Sequence, residues 1–203
     1  MLLLVAVAAM AITAALVIML RAVGGPDERL LTASIFPEAR PVPSFKLHDA
    51  AGQPFTEDDL TGRISLLFFG FTHCPDICPD TLTVLARALA KLDSMRVERR
   101  PQVVFVSVDP QRDDGEAMQA YVENFDPEFI AVTGDDEALA RLTNPLGILY
   151  ARNAPDAQGF YTVDHSGMVV IVDSGGRVLG RFRQGSDADA IAADLFQLVR
   201  DGV

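Results

Sequence analysis

The chain has 203 residues, a formal net charge of −11 and 49% hydrophobic side chains. The acidic balance argues against nucleic acid, whose phosphates call for a basic face. A 22% charged fraction beside that apolar content describes a folded protein rather than a disordered one. The charge keeps such a domain soluble and can draw cations or a basic partner toward it.

Met1 to Leu20 contains no charged side chain. Twenty helical residues rise about 30 Å, the thickness of a bilayer's hydrocarbon core. Residues 1–20 therefore read as one N-terminal transmembrane helix, an uncleaved signal anchor. The alternative is a cleaved signal peptide, whose apolar core runs only about 7–15 residues before a small-residue cleavage site that is not evident here. Orientation is weakly encoded: no Lys or Arg precedes the span, and Arg21 directly after it opposes an outside C-terminus. A mitochondrial presequence would be rich in Arg and Ser. A bacterial inner membrane fits better, with the soluble domain in the periplasm. Residues 21–40 form a linker, because Gly24-Gly25-Pro26 breaks any helix and Pro37 holds the chain extended, as Pro41 and Pro43 do just beyond.

Residues 41–203 alternate strand and helix patterns, enough chain for one domain with a sizeable core. Phe45–His48 and Phe55-Thr56 flank Asp49–Gly52 as a short hairpin. Ile64–Phe69 is a continuous apolar run, as in a central strand buried on both faces. Pro79 opens a helix that carries Leu82, Leu85, Leu89 and Leu92 on one face. Val103–Val108 predicts a second buried strand, Asp114–Asn124 a helix, Phe129–Val132 a third strand and Asp135–Thr143 another helix. Gly167–Asp173 and Val178–Phe182 pair across Ser174-Gly175-Gly176, and Ser186-x-x-Asp189 reads as a capping box for a last helix. The fold class is α/β: a mainly parallel central sheet with flanking helices, closed by a β-hairpin. Strand, cysteine pair, helix is the local order of a thioredoxin-like fold.

Cys74 and Cys78 are the only cysteines. So short a loop gains little as a structural cross-link, which points to chemistry instead. They lie after a buried strand and at the start of a helix, where the helix end favours thiolate. Residues four apart on a helix or turn share a face, so two sulfurs can aim at one metal ion, and a disulfide is also within reach. A third, borderline-soft ligand is needed, and His165, before a strand, is the best placed of three histidines. Two thiolates and one imidazole suit Cu(I). Zinc is the rival, although a structural zinc site takes a fourth protein ligand. His73 is a second candidate by proximity, whereas His48 reads as a surface residue. Met95, Met118 and Met168 lack clustered spacing and read as core filler. Asp109, Asp164 and Asp76 are candidates to orient His165 or set the site's charge.

These residues resemble the Sco/SenC family of copper-binding cytochrome c oxidase assembly proteins. Gly70–Pro79 (GFTHCPDICP) is similar to the family's cysteine motif. Ser107–Asp113 (SVDPQRD), continuing to Tyr121 and Phe125-Asp126-Pro127, resembles its second block. Val163-Asp164-His165-Ser166 resembles the segment supplying its histidine. The resemblance implies a thioredoxin-like fold behind an N-terminal anchor, and copper, as Cu(I) or Cu(II), held by Cys74, Cys78 and His165. It also implies delivery to, or thiol maintenance of, the CuA centre of cytochrome c oxidase subunit II. An upstream periplasmic copper donor or thiol reductant would be a further partner. Rival readings are a thiol–disulfide oxidoreductase using Cys74 and Cys78, a thiol peroxidase, and a redox or copper sensor. The peroxidase reading lacks a motif to stabilise its oxyanion.

Overall fold

A computed structural model describes residues 30–203. The segment assigned to the membrane lies outside the described residues, as does the first part of the linker. Among the described residues no helix is long and apolar enough to cross a membrane.

In chain order the elements are β1 (Ala33–Pro41), β2 (Lys46–Asp49), β3 (Pro54–Thr56), β4 (Ser65–Gly70), α1 (Ile77–Ser94), β5 (Gln102–Ser107), α2 (Gly115–Glu123), β6 (Ile130–Thr133), α3 (Asp136–Leu146), β7 (Tyr150–Arg152), β8 (Val163–His165), β9 (Val169–Val172), β10 (Arg177–Phe182) and α4 (Ala188–Arg200). Two of the ten strands, β4 and β5, are buried at every position. Their unbroken apolar runs, Leu66–Phe69 and Val103–Val106, leave no polar face to turn toward water. The leucines of α1 at positions 82, 85, 89 and 92 are all fully buried, as their spacing predicts. Helix α1 packs against α4.

The eight-stranded sheet runs β1-β10-β9-β4-β5-β6-β2-β3. It is mixed, which corrects the expectation of a mainly parallel sheet. Only β4–β5 and β5–β6 are parallel. Parallel neighbours need a long crossover, and α1 and α2 supply the two available ones. The remaining pairings are antiparallel: two are hairpins (β2–β3 and β9–β10), and in the others a distant strand is laid on an open edge. Strands β7 and β8 pair only with each other, as a separate antiparallel ribbon.

Two local expectations change. Residues 33–41, read as the end of the linker and the start of the domain, form edge strand β1 on β10, with a register break between Ile35 and Arg40 that takes up Pro37. Its start is fixed by Asp194 of α4, a buried carboxylate that accepts the N–H groups of Leu31, Thr32 and Ala33 at 2.6, 2.8 and 2.7 Å. The cap of α4 is Asp187, whose side chain accepts from Asp189 and Ala190, rather than Ser186. The Ser186 hydroxyl is occupied elsewhere, by Thr32 Oγ1 and the Arg183 carbonyl.

Candidate metal centre

Strand β4 ends at Gly70, and residues 71–76 turn into α1, whose N-cap is Asp76. The helix starts two residues before Pro79. Pro79 therefore occupies its third position, where an absent N–H still costs nothing, and Cys78 falls inside the first turn. Cys74 sits in the turn, its N–H bonded to the Phe71 carbonyl at 3.2 Å. Both cysteines are buried and free, Cys78 with 0% exposure.

Cys78 fits because Gly70 has no side chain. A Cβ on Gly70 would stand 2.6 Å from Cys78 Sγ, closer than real contacts allow, and a tight 3.1 Å from the Phe105 ring. In the loop that follows His165, a Cβ on Gly167 would lie 2.6 Å from Ile77 Cδ1 and 2.5 Å from the Gln184 amide oxygen, the far ends of two side chains that would have to move aside.

His165 ends β8, opposite Tyr150 of β7. Its Nε2 is 3.4 Å from Cys78 Sγ. One donor atom from each of Cys74, Cys78 and His165 lies within 4.8 Å of the other two. His165 Nδ1 faces the Ser166 carbonyl at 3.3 Å. A carbonyl only accepts, so Nδ1 carries the proton and Nε2 presents its lone pair to the sulfurs. The rings of Phe68 and Phe71 meet the imidazole edge-on, with centroids at 6.1 and 5.9 Å. Burial pushes the His165 pKa below its ordinary value, against the opposing pull of the Ser166 and Phe69 backbone. The ring is therefore neutral at pH 7, as a ligand must be. Burial also pushes the Cys78 thiol well up, with a hydrogen bond from the Phe71 backbone opposing it.

That thiol has a consequence for metal uptake. Cys78 carries a proton at neutral pH, and a bound metal must displace it. Apparent copper affinity is expected to fall about tenfold for each unit of pH lowered, from this proton alone. Competition titrations against a Cu(I) chelator between about pH 6 and about pH 8 test this. An affinity flat across that range would show that Cys78 loses no proton on binding.

The other sequence candidates lie apart from this cluster. His73 is half exposed and engaged by Thr72 Oγ1 at 3.0 Å, with Asp113 at 3.7 Å. His48 is exposed on β2, its Nδ1 facing the Asp49 carbonyl. Met118 is core, as expected, whereas Met95 is 47% exposed at the end of α1 and fills no core gap. Asp76 and Asp164 are exposed. Asp109 is fully buried.

Asp109 apart, which the sequence offered as a candidate to orient His165, the residues that shape the site went unassigned in the sequence. Asp113 is buried and accepts from Thr72 N (2.9 Å), Thr72 Oγ1 (2.6 Å) and Ser107 Oγ (2.5 Å), tying the cysteine turn to the end of β5. Arg112, Tyr161 and Arg152 surround Asp109. The resemblance drew attention to Ser107–Asp113 as a block, but no spacing rule connects it to residues 152 and 161.

Residues 36–200 match the SCO1/SenC family. The chain belongs to that family. Among its relatives, a putative copper-binding protein of Stutzerimonas stutzeri is 36% identical over 165 residues, covering 81% of this chain and 80% of the relative. An SCO2-like protein of Rickettsia prowazekii is 35% identical over 158 residues, 77% of this chain and 74% of its own length. The crystal structure of Arabidopsis thaliana ScoI with copper bound superposes with a TM-score of 0.73 at 31% identity, over 79% of this chain and 99% of that one. The fold is thus the Sco-like form of the thioredoxin-type α/β architecture, with four α-helices among the described residues.

Proposed function

We propose that this protein is a copper metallochaperone that carries one copper ion on Cys74, Cys78 and His165 and delivers it to the CuA centre of cytochrome c oxidase subunit II. The observation that carries the reading is the convergence of two free thiols and a correctly tautomeric imidazole within 4.8 Å. The donor set is soft, and it fits Cu(I) in three-coordination better than a four-ligand structural zinc. Copper-bound relatives of the same fold support that choice of cargo. Residues 1–20 would hold the domain to the outer face of a bacterial inner membrane. Cys78 has no exposed surface and Cys74 only 9%, whereas His165 is half-buried and so is the first ligand a partner can displace. Exchange then proceeds one ligand at a time, with Cys74 released next and the fully buried Cys78 last.

A second reading has its own observation in favour. Cys74 and Cys78 are both free and within 4.8 Å of one another, close enough for a dithiol to become a disulfide as a thiol–disulfide oxidoreductase requires. Such an enzyme would keep the cysteines of the CuA site reduced. His165 separates the two readings, because copper retention needs it and dithiol exchange does not. Reduced protein loaded with copper and desalted is expected to hold one copper per chain, and its His165→Ala variant markedly less. Retention indifferent to His165, with full dithiol activity, would favour the oxidoreductase.

A further inference from the structure

The strand carrying His165 belongs to a two-stranded ribbon that shares no ladder with the main sheet. Something else must hold it over the cysteines. Beside the packing of β8 on β4 and the burial of Val163, its polar contacts converge on Asp109, which follows β5 and has no exposed side-chain surface. Arg112 Nε donates to Asp109 Oδ2 at 2.6 Å, and the Tyr161 hydroxyl donates to Oδ1 at 2.8 Å. Arg152 Nε stands 3.4 Å from Oδ1. Arg152 ends β7 opposite Val163, and Tyr161 lies two residues ahead of β8, so one anchor point is in the ribbon and the other on the chain that leads into it.

Arg112 strengthens the same connection in two ways. Its Nη1 donates to the Tyr161 carbonyl at 2.8 Å, and its guanidinium stacks 3.6 Å above the Tyr161 ring. It also lies 5.6 Å from the ring of Phe71, in the cysteine turn. Arg152 adds a bond to the Val108 carbonyl at 3.2 Å and a pair with Asp136 at 2.6 Å.

We infer that Asp109 is the positioning residue of the metal centre: its buried carboxylate latches the β7–β8 ribbon to the end of β5 and so brings His165 to the thiols. Four residues on, Asp113 fixes the cysteine turn in the same manner. One turn after β5 therefore sets the distance between the two halves of the ligand set, one buried carboxylate to each. Loss of Asp109 leaves the thiol pair where Asp113 holds it and frees the imidazole.

The inference rests on the reading of His165 as a ligand only for its second readout. The first needs no metal. In the reduced, copper-free full chain, proton–proton contacts from the His165 ring to Phe68 and Phe71 are expected in the wild type and lost in Asp109→Asn. The second is copper competition. Asp109→Asn is expected to weaken binding about tenfold or more, as loss of a ligand's supporting partner does. The double variant Asp109→Asn/His165→Ala is expected to bind no more weakly than His165→Ala alone, because the aspartate acts through the histidine. If Asp109→Asn does not fold, Tyr161→Phe keeps the stacked ring, removes one latch bond and is read in the same way. Retained ring contacts in a folded variant, or additive losses in the double variant, would overturn the inference. A wild type that takes up no copper would instead sink the chaperone reading, and the copper-free contacts would still decide the role of Asp109.

Discussion

Cys78→Ala is expected to lower copper affinity by more than about a hundredfold, because even a hydrogen-bonding partner of a metal ligand is worth about 10- to 100-fold. Cys78 is the ligand least replaceable by water, since it has 0% exposure and its sulfur fills the space left by Gly70. The cost to the fold is smaller, about 1–2 kcal/mol for a truncated buried side chain. Copper binding and stability are thereby separable in one variant. Copper per chain after desalting, beside a urea unfolding curve, reads both. A folded Cys78→Ala protein that keeps near-native affinity would remove Cys78 from the ligand set.

Asp113→Ala should be the more damaging change to the scaffold. It strands the Thr72 N–H and the hydroxyls of Thr72 and Ser107 at a site with no exposed side-chain surface. Each buried group left without its partner costs about 1–3 kcal/mol, so a loss of about 3 kcal/mol is expected after partial relaxation. The next residue gives the internal control. Asp114 accepts only from Ala117 N at 2.8 Å as the exposed N-cap of α2, and its alanine variant should cost about 1 kcal/mol. Chemical denaturation of the two variants would test the contrast. Equal losses would mean that Asp113 is not holding the cysteine turn. Copper affinity should fall with Asp113→Ala and stay unchanged with Asp114→Ala.

Much of this site was legible in the chain because its chemistry is carried by rare residue types in strong local contexts. Two cysteines between a fully apolar strand and a leucine-faced helix admit few placements, and three histidines leave few choices for the third ligand. The central strands were readable for the same reason, since uninterrupted runs such as Leu66–Phe69 have one stable environment. What escaped depends on pairings across long stretches of chain. Strand β1 carries Pro37 and Pro41 and looks like linker, yet β10 and the Asp194 carboxylate hold it in place. The parallel share of the sheet was overestimated because alternation reveals crossovers but not where an edge strand returns. The ribbon β7–β8 has three residues in each strand and no hydrophobic period of its own. Its position comes from Asp109, which the sequence did offer as a candidate to orient His165, and from Arg112, Arg152 and Tyr161, charged and polar residues that sequence reading places in solvent by default.

Burial explains why a metal-binding thiol can also remain intact. Cys78 is kept protonated by its surroundings, and a protonated thiol is a poor nucleophile toward oxidants and disulfides. The same burial holds His165 neutral, with Nε2 unprotonated and facing the Cys78 thiol. Copper uptake thus exchanges a proton for a soft cation at a site otherwise slow to react.

The most direct measurement is copper transfer. The reduced, copper-loaded protein would be mixed with the copper-free soluble domain of cytochrome c oxidase subunit II, the two separated, and copper counted in each. The chaperone account predicts that copper moves to the subunit II domain, and that protein loaded at Cys74, Cys78 and His165 is left empty. Copper that stays on this chain would contradict it. Copper-free reduced protein that reduces a disulfide in the subunit II domain, and is itself left with a Cys74–Cys78 disulfide, would assign the cysteine pair to thiol exchange.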